Sequence, residues 1–389
     1  MSTLPVIGKR DGVTPVELLF DLVFVFAMSE IAHHLLGHLT TRGLIEATIL
    51  LVGVFLVWLN TSWIATVLHA QEPRVLTMIL VTMLLSMFMN ASIGRAYGSM
   101  GLMFALPLVL GQVGRSAWMV AASPNEVYRE HYRRTVGWQL ISAPLWLIGA
   151  VSPPEARLSY WGAATVIDLI GTWLAHPVPG QRLHSVYLEF DADHMLERCR
   201  LLLIVAFGET VVAMGSALAS SRMTGLTVFA GVVAFAGMIA LWALYFGSGV
   251  RATLDHIART CDPVKASRLA GNALVVMVAG LIGIAVGSEI VIGAPSARGD
   301  SLVVGALLFG GAMAGLVAHA WYLRAVPRLS ARWILFGAAG LAFAGLATAS
   351  APGVVQLGIW SVGLTALAVA DTRAGRRFDS ADPPVADCD

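Results

Sequence analysis

The chain has 389 residues, of which 57% are hydrophobic and 13% are charged, and its mean hydropathy is +0.76. Soluble domains carry about 25% charged residues, so this composition excludes a cytosolic enzyme and a secreted domain. The net charge of +1 excludes a strongly basic surface for nucleic acid, and three scattered cysteines exclude a disulfide framework or a cysteine zinc site.

Apolar segments recur along the whole chain, and each is long enough to cross a hydrocarbon core of about 30 Å. Such segments form helices, because a helix satisfies its backbone hydrogen bonds within one segment. We therefore predict an all-α, polytopic membrane helix bundle of about 12 transmembrane helices. The predicted spans are 15–36, 44–68, 75–94, 100–122, 134–151, 158–175, 200–219, 225–247, 267–292, 301–322, 333–349 and 354–371.

Basic residues are distributed unequally between the two sides of this predicted topology. Of the 25 Lys and Arg residues, 19 fall on the side of the two termini and 5 on the other side, with Arg115 inside the fourth span. Basic residues concentrate in cytoplasmic loops. The asymmetry predicts a membrane protein with both termini cytoplasmic.

The two halves of the chain resemble each other in the order of their polar residues. Glu17 and Glu30 in the first span correspond to Glu197 and Glu209 at the seventh, and an acidic residue followed by proline precedes both the third and the ninth span. These matches favour a 6+6 parallel tandem repeat, which in many transporters forms a site between its halves. Chance similarity between apolar helices is the alternative.

On this basis we divide the chain into a first six-helix repeat, 1–180, a second six-helix repeat, 181–371, and a disordered cytoplasmic tail, 372–389. The ninth and tenth spans are rich in glycine, with Gly280 and Gly311 among the small residues that permit close approach of two backbones. We expect the glycine faces of these spans to pack closely against neighbouring helices.

Ionisable residues inside the predicted spans are the main functional signal, because a charge at the bilayer centre costs about 2.5–3.5 kcal/mol. Glu17 and Asp21 lie one turn apart in the first span, and Glu30 and His34 form a second such pair, with His33 adjacent. Nine residues separate Asp21 from Glu30, which places the two acids on opposite faces. We therefore expect the first span to be surrounded by other helices.

Later spans add three acids without an obvious basic neighbour, Asp168, Glu209 and Glu289. An unpaired carboxyl group in an apolar site can hold and exchange a proton. Arg115 is the expected partner of Asp21 or Glu17. The alternative is that each acid pairs with a buried donor and has a structural role only.

These considerations define a set of candidate residues. We predict that the chemistry is carried by Glu17, Asp21, Glu30, Asp168 and Glu209. We expect binding roles for Arg115, His33, His34, His194, Glu197, Arg198, Asn60, Glu289 and His319. Glu30, His34 and His38 share one helix face, but nothing supplies further ligands, so we predict no metal and no cofactor.

Two motifs in the chain resemble a known family. The stretch 13–27, VTPVELLFDLVFVFA, followed by IAH at 31–33, is similar to the opening signature of the bacterial low-temperature-requirement A (LtrA) family. The second motif, HMLER at 194–198 leading to FGETVVA at 207–213, is similar to the central motif of that family, which usually has Leu in place of Phe207. The resemblance implies a multi-pass membrane protein in which the acidic and basic residues of both motifs matter, and it supplies no substrate.

The sequence contains no phosphate-binding loop, no nucleophile elbow and no HExxH motif. Three functions are compatible with the remaining features. The first is a proton-linked secondary transporter or permease of a small solute, in which Glu30, Asp168 and Glu209 line a path and Asp21 with Arg115 forms a gate. The second is an intramembrane enzyme whose protonated carboxyl acts as general acid on a lipophilic, isoprenoid- or polyketide-like substrate. The third is a non-catalytic component for cold or lipid-state adaptation.

The expected partners are membrane lipids and a small or lipophilic substrate, without nucleic acid. Whether the chain forms a homo-oligomer is left open.

Overall fold

The computed structural model describes residues 12–68, 70–123, 126–178, 190–247, 263–297, 301–323 and 332–378. In these residues the main elements are twelve helices, each overlapping one predicted span. They are α1 (Pro15–Gly37), α2 (Thr41–Val67), α3 (Pro73–Ala91), α4 (Gly101–Ala122), α5 (Glu126–Val151), α6 (Pro154–Trp173), α7 (Ala192–Ser220), α8 (Gly225–Phe246), α9 (Pro263–Gly293), α10 (Ser301–Leu323), α11 (Arg332–Ala347) and α12 (Gly353–Phe378).

Eight of the helices in the described part of the chain are long and apolar enough to cross a membrane, namely α2, α3, α4, α7, α8, α9, α10 and α12. α11 is apolar but shorter. α1, α5 and α6 are not among these eight, and each carries at least three charged residues, such as the first-turn Glu155 and the buried Asp168 of α6. The chain is therefore a multi-pass helical membrane protein, and the number of twelve crossings stays a prediction.

Several helices begin earlier or end later than the predicted spans. α5 starts at Glu126, eight residues before the predicted span, and ion pairs from Arg129 and Arg133 to Glu126 stabilise this exposed first turn. α7 starts at Ala192, so the whole HMLER motif is helical. α12 continues to Phe378, so the predicted tail is helical over 372–378, and its remainder lies outside the described residues.

The helices form two compact units. The first contains the described residues of Met1–Leu202 and Asp262–Arg268, and the second contains those of Leu203–Cys261 and Leu269–Asp389. The boundaries fall inside α7 and α9, so each of these helices contributes to both units. The correspondence of the units with two sequence repeats stays a prediction.

In the first unit α2 is the central helix. It packs against α1, α3, α4 and α6, and 78% of its apolar core segment is buried. α1 is less enclosed than the sequence predicts, because Leu18, Leu22 and Phe26 are each more than 40% exposed along one face. The acids of α1 lie away from this apolar face, so the helix can be exposed to lipid on one side and still bury Glu17 and Asp21.

α4, α5 and α6 complete the first unit. α5 approaches α6 at Gly149, where a Cβ atom would lie 2.6 Å from the ring of Trp161. The Trp161 ring also contacts Trp146 and Phe104, with centroid distances of 5.6 and 5.3 Å. Arg157 lies over the Trp161 ring at 5.5 Å. These aromatic contacts hold the N-terminal halves of α4 and α6 and the C-terminal half of α5 together.

In the second unit, α9 and α10 pack through their glycine faces, as the sequence predicts. A Cβ atom on Gly280 would lie 2.4 Å from the backbone oxygen of Gly311, and one on Gly311 would lie 2.6 Å from that of Gly280. α10 contains a π-helical stretch at Ala306–Gly310. α12 packs against α8 and α11.

Candidate functional site

Glu17 lies in the first turn of α1, where its carboxylate performs two tasks. Its Oε2 atom accepts hydrogen bonds from the backbone N–H and the hydroxyl of Thr14, at 2.9 and 2.8 Å, which is the capping arrangement typical of a helix start. Its Oε1 atom lies 3.0 Å from Nε2 of His194 and 3.7 Å from Nη1 of Arg198. Glu17 is completely buried. The helix start therefore aims one carboxylate oxygen at α7.

Asp21 follows one turn later and is held by two buried donors. Its Oδ1 atom accepts from Nη2 of Arg198 at 2.5 Å and from the indole N–H of Trp58 at 2.7 Å. The Oδ2 atom has no hydrogen-bond partner among the described residues. Trp58 and Asp21 are at most 1% exposed. This ion pair is formed in an apolar interior, where charge-assisted hydrogen bonds are strong.

Arg198 is enclosed by these two acids and by two aromatic rings. Its guanidinium carbon lies 5.5 Å from the ring centre of Phe20 and 5.8 Å from that of Trp58. A guanidinium group stacks well on aromatic faces and accepts burial more readily than an ammonium group. The surroundings of Arg198 therefore suit an arginine and would not suit a lysine.

The start of α7 is fixed by its own cap. Asp191 precedes the helix, and its Oδ1 atom accepts from the backbone N–H of His194 at 3.1 Å. This bond places the His194 ring in the first turn of α7, where it is 4% exposed. Acids at a helix start also suit the helix dipole.

Together Glu17, Asp21, Trp58, His194 and Arg198 form what we call the α1–α7 cluster. The residues of each contacting pair, Glu17 with His194 and Asp21 with Arg198, are 177 positions apart in the chain. Equal separations mean that α1 and the first turns of α7 run parallel and in register. The cluster therefore joins the starts of the two helices.

The predicted pairing of Asp21 or Glu17 with Arg115 is wrong. Arg115 donates through Nη1 to the backbone oxygen of Val57 at 3.2 Å and to the hydroxyl of Thr61 at 3.0 Å, both on α2. The acids of α1 pair instead with α7, because His194 and Arg198 have the same one-turn spacing as Glu17 and Asp21 and lie opposite them.

Asp168 on α6 is buried, and its Oδ2 atom accepts from the indole N–H of Trp146 at 3.0 Å. Among the described residues no ion pair to Asp168 is formed, and this tryptophan is its hydrogen-bond donor.

A second polar cluster lies at the other end of α1. Nε2 of His34 lies 3.2 Å from Oε2 of Glu46, and Nε of Arg42 donates to Oε1 of Glu46 at 2.8 Å. Tyr97 is buried nearby, and burial raises the pKa of its phenol. A cavity of about 450 Å³ lies beside this cluster, and His38 contributes to its lining. Glu46 was not predicted, although it lies in an apolar run and the cost of burying a charge identifies it as clearly as the acids of α1.

The remaining candidates of the first unit have simpler surroundings. Glu30 is half-buried and lies beside Gly94: its Oε2 atom is 3.6 Å from the position that a Cβ atom on Gly94 would take. His33 is exposed. Asn60 donates to the backbone oxygen of Leu56 at 2.8 Å. Glu197 is partly exposed and lies 3.4 Å from Arg200 on the same helix.

Three candidates lie in the second unit. Glu209 and Glu289 are half-buried. His319 is 3% exposed, and its ring centre lies 5.3 Å from that of Tyr245. Within the described residues, no group of three or more His, Cys, Asp or Glu side chains is arranged to bind a metal ion.

Comparison with known proteins identifies the family of this chain. Residues 12–369 match the family described as bacterial low temperature requirement A protein (LtrA). An uncharacterized protein of Rhizobium meliloti (strain 1021) is 28% identical over 326 residues, which cover 82% of this chain and 79% of that protein. The family match includes both motifs of the α1–α7 cluster, which confirms the resemblance that the sequence indicated. The chain belongs to the bacterial low temperature requirement A family.

Proposed function

We propose that this protein is a proton-linked secondary transporter of a small solute, with the α1–α7 cluster as its proton-binding site. The observation that carries the proposal is the burial of four ionisable side chains, Glu17, Asp21, His194 and Arg198, each at most 4% exposed, in a membrane protein. Ionisable groups in such surroundings are costly and mark ion or proton pathways in membrane proteins.

The charge of the cluster depends on a single proton. Among the described residues of the cluster, two carboxylates face one guanidinium and one imidazole, so the formal charge of these four side chains is −1 when His194 is neutral and zero when the imidazole binds a proton. An uncompensated charge in a dry interior costs several kcal/mol. The closed, dry arrangement therefore favours the protonated cluster, and entry of water favours release of the proton.

This dependence provides a physical basis for coupling. A conformational change that admits water to one side of the cluster would lower the cost of the charged form there and release the proton to that side. Solute binding that closes the site would favour proton uptake. Both steps need only a change in hydration of groups that already touch.

The topology that we propose for this function has twelve crossings, both termini in the cytoplasm and two parallel six-helix repeats in the bacterial inner membrane. The unequal distribution of basic residues supports the orientation. The in-register, parallel contact of α1 with the start of α7 supports equivalent positions for these helices in two repeats. Membrane lipids are the expected surroundings, and a homo-oligomer stays a prediction.

An intramembrane acid catalyst is less well supported. A general acid needs a proton that faces a substrate, whereas Asp21 and Asp168 each accept a hydrogen bond from a buried tryptophan. The non-catalytic role in cold or lipid-state adaptation stays a prediction.

Electrophysiology on proteoliposomes fused to a solid-supported membrane tests the transport hypothesis. Amino acids, dicarboxylates, sugars and monovalent cations are exchanged rapidly over the membrane, with and without a pH gradient. We expect at least one solute to produce a current that depends on the gradient. Glu17→Gln and His194→Gln should abolish that current, because neither variant retains the proton-dependent pair, while Gln can still cap α1.

Glu126→Gln is the matched control, since Glu126 also lies in the first turn of a helix, α5, and its side chain is 63% exposed. It should leave the current unchanged. A wild-type current that both Glu17→Gln and His194→Gln retain in full refutes the proton role. The absence of a current with every solute class refutes the assignment as a transporter of those solutes.

A further inference from the structure

Arg115 on α4 is a buried cation whose hydrogen-bonding capacity is only half used. It is 3% exposed, and only Nη1 donates, to Val57 and Thr61 of α2. The Nε and Nη2 atoms are buried without a hydrogen-bond partner in the described part of the chain, and no carboxylate there pairs with the group. Buried donors without acceptors are costly, and for charged groups the cost is larger.

The chain satisfies its other fully buried arginines differently. Arg157 donates to five backbone oxygens, at distances of 2.6 to 3.1 Å. Arg198 is paired with two carboxylates. Arg115 has neither arrangement, so its positive charge remains to be balanced by a group from outside the described fold.

The unpaired atoms of Arg115 have the geometry that a planar oxyanion requires. The Nε–H and one Nη2–H point from the same edge of the guanidinium plane, and this edge binds both oxygens of a carboxylate in two parallel hydrogen bonds. Gln112 and Ser116 lie on the same side of α4, and the Nε2 of Gln112 and the Oγ of Ser116 are also buried without partners among the described residues. Three side chains of one helix face therefore offer unused donors.

Open space lies next to this face. Gly111 is one turn before Arg115 and is buried, yet a Cβ atom placed on it would meet nothing within 4 Å. Side chains in a helix lean toward its N-terminus, so the turn that contains Gly111 is the one toward which Arg115 leans. The missing side chain at Gly111 leaves room on the buried face of α4 that carries Arg115.

We propose that this space, bounded by Gly111, Gln112, Arg115 and Ser116, is a binding site for a small monocarboxylate anion. One negative charge neutralises the single guanidinium, whereas a phosphate dianion would leave an excess charge in an apolar interior. The site lies entirely in the first unit and is separate from the α1–α7 cluster. It is tested by equilibrium binding, so its failure is distinguishable from a failure of the transport hypothesis.

The test measures thermal denaturation of the purified full-length protein in detergent by tryptophan fluorescence, with sodium acetate titrated against sodium chloride at constant ionic strength and pH. A ligand that binds only the folded state raises the midpoint in a saturable way. We expect acetate to do so for the wild type. Arg115→Gln and Gly111→Val should each weaken the apparent affinity at least about tenfold, because one removes the donors and the other fills the space.

Two control variants separate binding from general stability. Gly114→Val places the same side chain on the exposed face of α4, again in open space, and should retain the acetate response. Arg157→Lys should lower the midpoint but keep its acetate dependence. The proposal is overturned if acetate has no saturable effect, if Arg115→Gln responds like the wild type, or if inorganic phosphate at the same ionic strength raises the midpoint more than acetate.

Discussion

The ion pair between Asp21 and Arg198 allows a quantitative test of the cluster. Arg198→Met removes a guanidinium that is 1% exposed and lies 2.5 Å from Asp21 and 3.7 Å from Glu17. Asp21 then remains buried without its cation, and breaking a buried pair in this way costs about 3–5 kcal/mol in free energy of unfolding. Asp21→Asn should cost less, because Arg198 keeps Glu17 as a partner.

The double variant is the informative measurement. Asp21→Asn combined with Arg198→Met removes both charges of the pair, so its loss of stability should be smaller than the sum of the single losses. For side chains in direct contact we expect a coupling energy of about 2–3 kcal/mol. Part of the single-variant loss is thus the penalty of leaving one charge unpaired, and the double variant is free of it.

The assay is equilibrium unfolding in mixed micelles with increasing SDS, followed by circular dichroism, for the wild type, both single variants and the double variant. Glu197 and Arg200 supply the control cycle, because they lie on the same helix with side chains 40% and 47% exposed. Their coupling should be below about 0.5 kcal/mol. Equal coupling energies in the two cycles would show that the buried pair does not form.

Three further predictions concern other parts of the chain and use the same unfolding assay. Gly280→Ala should destabilise the protein by about 1–3 kcal/mol, because its Cβ would lie 2.4 Å from the backbone oxygen of Gly311, whereas Gly358→Ala enters open space and should not. Burial lowers the pKa of His176, which follows α6, to about 3. The unfolded chain therefore binds a proton below pH of about 6.5 and the folded protein does not. The free energy of unfolding therefore falls as the pH decreases below about 6.5. His176→Gln should reduce this fall between about pH 7 and pH 4 by at most about 3 kcal/mol. A variant with the same pH profile as the wild type would contradict the role of His176. Glu46→Gln should cost about 1–3 kcal/mol, because Arg42 and His34 lose a buried, charged acceptor, and a variant of wild-type stability would exclude that pairing.

The helices of this protein follow from sequence because membrane insertion depends mainly on local apolar content. Each of the twelve helices overlaps a predicted span, and the errors are at the ends. α5 and α12 extend beyond their predicted spans into polar residues. A hydropathy pattern leaves such residues out of a span, although they can continue the helix. At the start of α5, Glu126 and Arg133 illustrate this, because their ion pair favours a helix that no apolar pattern reveals.

Four of the five residues of the α1–α7 cluster were also identifiable, since the cost of burying a charge marks Glu17 and Asp21, and the motif at 194–198 contains His194 and Arg198. The partners of these residues could not be identified from the sequence. Arg115 appeared to be the natural partner of Asp21 because it is the one basic residue inside an early predicted span, and only the packing of α7 against α1 shows that Arg198 takes this place. Pairing depends on which helices are neighbours, and composition does not encode that.

The same packing explains why the chain contains both motifs, which are far apart in the sequence and contact each other in the fold. In α1, an acid at position 17 and another at 21 face α7, and in α7 a base at 194 and another at 198 face them with identical spacing. A shift of either helix by one turn would place Asp21 against His194 and leave one acid and Arg198 without their present partners. The four residues therefore select both the parallel direction and the register of the two helices, while Trp58 fixes Asp21 from a third helix. Because the same side chains determine how α1 meets α7 and supply the ionisable groups of that contact, the proposed function predicts that a movement between these helices changes the protonation of the cluster. This linkage is the physical reason to expect coupled proton movement here, and not merely a buried structural ion pair.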